Sequence, residues 1–556
     1  MNIDVVYQEM EDPKGYILKT ALPILLVGIM IPILFPILFP KVATGIIQYV
    51  LYTIPFYALI VAVLYPVIEA EKEKNEVEDQ LPLFVARMAL LSTSGRGVKD
   101  IFRLLGDLPE YGRLSKDAHR IYKLINIFHL DSAEACSYTA EKTPSEIEAD
   151  FLTRLGHSIS VGIELEAFLE NEQDVVMDEA ETHYESALSE IDTMKEVFMA
   201  TATSLIFFWS FVAFIPLLTP LPMEPYLVMT VAIFAAVEGV FVFVIKSKLP
   251  KDEIWFSEMK KKYQLFPKIT KQLWILLPIT ALASIAVAFL VIPYNPPIAI
   301  IGAAVATPWL FPGLVISYEE KKVIRRDMNF GAFIRSLGRS METKGESMVG
   351  ALTTLRLHNY GPLTDSVNNL YKRAATQISK IDAWRHFCAE TGSNLIQKLS
   401  EMFVHGTMLG APSRRSAVFV SRYMERFLSL REKRYAMASN YTGIMYGFAV
   451  AISFALYTVY GILLHLKKMF AQLDFGDSSD IMQGGALSNL FNASFNVSYL
   501  PYAITGMILI HAAASSVILT MIRGGHRASA ILHFVGIVWV GTVVYLITDF
   551  AMARLL

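Results

Sequence analysis

Nine predominantly apolar stretches are each long enough to cross a bilayer as a helix: residues 17–39, 46–68, 197–218, 226–245, 272–292, 298–318, 437–464, 499–522 and 528–550. The uncharged run from Gln272 to Tyr318 exceeds one span, and the Pro-rich turn at Ile292 to Pro297 divides it into a hairpin. Pro23, Pro32 and Pro36 predict kinks in the first stretch. That stretch lacks a basic leader region and a small-residue cleavage site, and a second span follows it, so it reads as a retained span. The fold class expected is all-α: a polytopic membrane protein with about nine transmembrane helices and two duplicated helical-bundle domains.

Two long polar segments, 69–196 and 319–435, interrupt the apolar pattern. Both carry helical periodicity and little strand-like alternation. Leu83, Ala86, Met88, Leu90 and Leu91 lead to breakers at Gly95 and Gly97, and Thr143-Pro144-Ser145-Glu146 reads as a helix start with Pro at its first position. Ala180, Tyr184, Ala187, Leu188, Ile191 and Phe198 keep one helical face across the polar–apolar boundary, predicting an unbroken helix into the third span. Val420, Tyr423, Phe427 and Leu430 do the same before the seventh. The two segments also repeat. Tyr111-Gly-Arg-Leu-Ser matches Tyr360-Gly-Pro-Leu-Thr, and at the same spacing Tyr122-Lys123 matches Tyr371-Lys372 and Ala140-Glu141 matches Ala389-Glu390. Arg87 with Arg335 and Gly95 with Gly345 fit within one residue, and the match fades after Glu390. Duplication of a span-pair, bundle, span-pair unit accounts for this. The organisation expected is a hairpin at 1–68, a bundle at 69–196, four spans at 197–318 with an interior loop at 246–271, a second bundle at 319–435, and three spans at 436–556 with an exterior loop at 465–498.

Composition supports a membrane chain: 54% of residues are hydrophobic, 18% are charged and mean hydropathy is +0.42. The distribution of charge adds an orientation. Eight lysines fall in 246–271, and Arg523 and Arg527 in the last turn between spans, whereas the turns 219–225 and 292–297 have none. Basic residues in short loops stay on the inner side, which places the N-terminus and both bundles inside and the C-terminus outside. The sequons at Asn492 and Asn496 agree with an exterior 465–498 loop, although a third, at Asn440, falls at an inner boundary. Cys136 and Cys388 form no framework and read as buried thiols on a reducing face. The net charge of −3 conceals an acidic first bundle, at −15, and a basic second one, at +9. The basic surplus gathers at Arg414, Arg415, Arg422, Arg426, Arg431, Lys433 and Arg434. For 431–434 a membrane-anchoring role competes evenly with any other; for 414–426 a basic protein-docking face is the sharper reading.

Catalytic signatures are missing. The chain has no GxxxxGK[ST] loop, no HExxH, no CxxC and no GxSxG, and Leu105-Gly106-Asp107 lacks the glycine of the intramembrane aspartyl-protease pattern. His157, His183, His358, His386 and His405 stand singly, a pattern of surface or capping residues. Ionisable groups within spans are few: Glu238, His511, His533 and Asp549. Polar contacts within the helix bundle are the expected role of Glu238 and His511, with a functional one as the alternative. No nucleic-acid motif is present, and the acidic bundle would repel phosphate.

The two span-flanked helical bundles, the Tyr-Gly-x-Leu-Ser/Thr turn and the Thr-Pro-Ser helix start resemble the archaellum platform family within the type II secretion F and tight-adherence C superfamily. The resemblance spans nearly the whole chain and implies a non-enzymatic archaeal inner-membrane scaffold without cofactors. It further implies partners: a cytoplasmic hexameric secretion or motor ATPase, archaellin or pilin-like filament subunits, and other basal-body proteins. Membrane lipid surrounds it, and a homodimer is the default from symmetry. The basic face Arg414, Arg415, Arg422 and Arg426, helped by Lys260, Lys261 and Lys262, is the expected ATPase dock. An adhesion-pilus platform or a solute transporter are the alternatives; the mass held in the bundles and the scarcity of mid-membrane polar groups weigh against the transporter.

Overall fold

The computed structural model describes residues 21–38, 74–218, 224–256, 268–343, 347–376, 378–472 and 497–555, with isolated positions 55 and 59. These residues are almost entirely helical; an isolated antiparallel bridge joins Trp255 to Ser393. Among them, seven helices are long and apolar enough to cross a membrane. Of the two further spans expected, the first appears as a shorter helix, Leu22–Leu38, containing Pro32 and Pro36, and the second, apart from positions 55 and 59, lies outside the described residues. The chain forms two compact units, Met1–Ala180 and Glu181–Leu556.

The first unit holds a bundle. Residues 74–92 form its leading helix, followed by Val98–Gly106, a 3₁₀ turn Pro109–Tyr111, and helices Arg113–Asn126, Ser132–Ala140 and Glu146–Val161. A long helix, Leu165–Leu218, then begins. The second unit repeats this order: Leu310–Thr343, Met348–Leu355, the 3₁₀ turn Gly361–Leu363, Thr364–Ala375, Lys380–Thr391, Asn394–Met408, then Ser413–Gln472. Short amphipathic helices account for both cores. In Val98–Gly106 the buried side chains are Ile101, Phe102 and Leu105, which share one face. In the second bundle Phe330, Phe333, Trp384, Phe387 and Phe403 form a buried aromatic cluster.

The repeat is atomic as well as topological. Tyr111 and Tyr360 are both buried and each meets a phenylalanine of its leading helix edge-on at 5.5 Å: Phe84 in the first bundle, Phe333 in the second. Gly112 and Gly361 follow with φ of 54° and 58°, a left-handed backbone that glycine adopts without a Cβ penalty. The structure shifts one sequence match. Arg87 reaches the Tyr111 hydroxyl, whereas Ser336, next to Arg335, bonds that of Tyr360. A second correction concerns Pro144. It precedes the cap, and Ser145 is the N-cap of Glu146–Val161, accepting from the Glu148 amide at 3.3 Å. Ser393 caps Asn394–Met408 in the same way, accepting from Ile396 at 3.1 Å, so equivalence continues beyond the sequence match.

Both long helices, of 54 and 60 residues, run without a break from polar into apolar sequence. In the second unit they lie side by side and parallel: Glu181 pairs with Arg426, Ile191 accepts from Tyr441, and Phe198 meets Phe448. Their apolar halves anchor a core with Trp209, Phe234, Met445, Leu456 and Ile504. Helix Leu310–Thr343 packs closely on Ser413–Gln472, and Gly338 permits the approach, since a Cβ there would collide with Ala417 and the Ser413 carbonyl.

Candidate functional site: a buried arginine joint and a basic helix face

Arg414, Arg415 and Arg422 lie exposed in the first turns of the Ser413–Gln472 helix. Arg426 is half-buried, with Nε 2.7 Å from Glu181 Oε1. Nearby, Arg335 of the packed helix contacts Ser421 and Glu425. Four of the seven expected docking residues therefore share one helix, and Arg426 is already engaged within its own chain. Lys260, Lys261 and Lys262 lie outside the described residues.

Arg431 and Arg434 differ from the anchoring role weighed for them. Each is 2% exposed. Arg431 binds Asp252 in a fork, with Nε to Oδ2 at 2.7 Å and Nη2 to Oδ1 at 2.6 Å, and its Nη1 reaches Asp327 Oδ2 at 2.8 Å. Arg434 donates to main-chain carbonyls: Met521 at 2.8 Å, Asp252 at 3.1 Å, Pro250 at 3.3 Å, and Ile522. Burial would raise the Asp252 carboxyl, yet the Arg431 charge and hydrogen bonds, with Arg434 and Lys398 adding to them, hold it down at about 2. Lys433, between these arginines, stays exposed and pairs with Glu185.

These contacts gather five chain segments at one point. Residues 250–256 thread between the bundle and the last helices: Ile254 N–H donates to Gly524 O at 3.1 Å, Phe256 N–H to Gly392 O at 3.0 Å, and Asn394 N–H to Ile254 O at 3.1 Å. Glu320 closes the far side, accepting from Trp255 Nε1 at 3.2 Å and from the His526 amide at 2.6 Å. Asp327 also bonds the cap residue Ser393, and its counterpart in the first bundle, Glu78, accepts from the cap residue Ser145 at 3.3 Å. A buried carboxylate on a serine cap thus recurs in both bundles, and in the second Arg431 clamps it. The sequence signal available was the Asp-Glu pair at 252–253 inside a lysine-rich loop.

Glu238 and His511, each 1% exposed, meet between membrane helices, with Oε1 2.7 Å from Nδ1. Ser515 Oγ lies 3.4 Å from Nδ1, and Phe448 packs edge-on against the ring. The pair links helix Glu224–Lys248 to Leu500–Arg523 by a polar contact. Among the described residues no three His, Cys, Asp or Glu side chains are grouped to hold a metal ion.

An all-helical, multi-pass membrane chain with a repeated bundle riding on continuous helices is of the type II secretion system protein F class, whose family pattern matches residues 84–213. The match runs from within the leading helix of the first bundle through nearly all of its long helix, Leu165–Leu218. The chain belongs to the flagella accessory protein J family, the archaellum platform branch of that class. It is 32% identical over 554 residues to flagella accessory protein J of Methanocaldococcus jannaschii, covering 98% of this chain and 96% of the relative. It is 31% identical over 567 residues to that of Methanococcus voltae, covering 100% and 99%. No solved structure matches.

Proposed function

We propose that the chain is the non-enzymatic inner-membrane platform of an archaellum: it anchors the base of the filament and receives a cytoplasmic hexameric ATPase, with both bundles and the N-terminus inside. The observation that carries this reading is the continuity of the two long helices, of 54 and 60 residues. At 1.5 Å per residue they reach about 80 and 90 Å. A load applied to a bundle passes along such a helix without crossing a loop, and the Arg431 joint locks the second bundle to the segments leaving the membrane. The full-length likeness to flagella accessory proteins supports the choice of filament.

The ATPase engages the exposed face formed by Arg414, Arg415 and Arg422, with Lys260, Lys261 and Lys262 adding to the positive field. Long-range attraction from such a cluster raises encounter rates and is weakened by salt. Each exposed ion pair contributes only about 0 to 1 kcal/mol, so the cluster acts collectively. The triple variant Arg414→Glu/Arg415→Glu/Arg422→Glu spares Arg426, which holds Glu181. It should insert normally and lose at least tenfold in capture of the secretion ATPase at physiological salt. Undiminished capture would remove this face as the dock.

A further inference from the structure

A groove opens on the first bundle between the end of helix Val98–Gly106 and one face of helix Arg113–Asn126, with a volume of about 800 Å³. Lys116, His119, Arg120 and Lys123 line it along the helix, with Arg120 paired to Asp117 and with Asp107 on the opposite rim, and Leu124 and Phe128 close its apolar end, with Phe128 67% exposed. Gly106 brings the two helices together, since a Cβ there would sit 3.0 Å from the His119 backbone. A cationic groove with an aromatic end is conspicuous on a segment whose net charge is −15.

The same unit carries a segment of complementary chemistry. Where helix Glu146–Val161 turns into the long helix, Val161 and Ile163 are 64% and 49% exposed, and Glu164 and Glu166 follow them. Two apolar side chains beside two carboxylates match the aromatic end and cationic wall of the groove. The second bundle, built in the same element order, has neither half in this form. Leu355 stands where Gly106 does, Asp365, Asn368 and Asn369 replace Lys116, His119 and Arg120 while Lys372 keeps the place of Lys123, and the long helix begins with Arg414 and Arg415. The fold therefore does not demand the groove, and the charge pattern rejects the alternative pairing: an arginine-led helix start is repelled by a cationic groove.

We infer that the groove is a self-docking site, in which the first bundle of one copy receives the Val161–Glu166 segment of a second copy and offers its own in return. Each partner supplies groove and segment once, as a two-fold contact between identical chains requires. The contact is independent of the ATPase face, which lies on the other bundle.

Two differently tagged full-length copies in one membrane test it. Lys116→Glu/Lys123→Glu in both copies should lower their co-purification at least tenfold, and adding Glu164→Lys/Glu166→Lys to the same chains should restore it to within about twofold. Phe128→Cys in one copy and Ile163→Cys in the other should give an oxidant-dependent interchain disulfide that neither variant forms alone. Co-purification untouched by the groove reversal would overturn the inference. So would a loss that the exchanged charges fail to restore, which would assign the groove to an acidic segment of another protein; unchanged thermal unfolding of the reversed chain separates that outcome from misfolding.

Discussion

Glu148 sits three residues into a helix whose cap, Ser145, it supports through its own amide, while its carboxylate accepts from the Thr143 hydroxyl. Burial, and then the nearby Asp117 carboxylate, push this group up to about 7 from its ordinary 4.5, against the pull of Thr143, Arg113 and Arg120. A carboxyl whose pKa is raised on folding gives its full stability below the unfolded value and loses it as pH climbs to the folded one. The loss spans roughly pH 4.5 to 7 and amounts to about 3 kcal/mol. Glu148→Gln should remove it: relative to wild type, the variant should gain unfolding temperature steadily from pH 5 to pH 8, as followed by circular dichroism of the purified chain. At this scale the sequence is legible where a residue's partner is local or repeated. The Tyr-Gly turns could be read directly, because two copies of one motif report the same backbone requirement. The Ser336 counterpart of Arg87 was hidden, because two unlike side chains reach the same hydroxyl.

At the scale of elements, the helical periodicity of Ala180 to Phe198 and of Val420 to Leu430 carried the unbroken long helices, since a continuous apolar face admits no break. The joint between elements could not be read in this way. Arg431 finds Asp252 and Asp327 at separations of 179 and 104 residues, and a local charge count reads it as one more basic residue near a span. Taking one member out of a buried ion cluster costs about 3 to 5 kcal/mol, because the charges left behind lose their partner. Arg431→Met should therefore lower the unfolding temperature sharply and expose residues 250–256 to proteolysis. Adding Asp327→Leu and Asp252→Asn should recover much of the loss, since an apolar replacement of the whole cluster strands no charge. If Arg431→Met unfolds like wild type, the joint does not hold these elements together.

For the whole molecule, the proposed orientation makes a labelling pattern that the structure sharpens. Cys136 and Cys388 are buried, and burial raises both thiols, Cys136 to about 12, so neither should react with an impermeant reagent even in lysed cells while the chain is folded. Introduced cysteines carry the test: Ser479→Cys should label in intact cells and Arg414→Cys only after permeabilisation, with the reverse pattern inverting the topology. The opposed charges of the two bundles were visible from composition. Their shared architecture became traceable only in part, because the sequence match fades after Glu390 while the caps Ser145 and Ser393 still correspond.

The side-by-side course of the long helices has one more implication, and it concerns ancestry. Lys433 faces Glu185, and both stand at corresponding distances from the starts of their helices, Ser413 and Leu165. Two identical half-length chains meeting along an axis would have to set lysine against lysine or glutamate against glutamate at that level. Joining the halves in one gene lifts the restriction, because each side can then mutate without copying the change onto its twin. Opposite charges at the same level of the two helices require halves that differ in sequence, as the two halves of this chain do and two copies of one half could not.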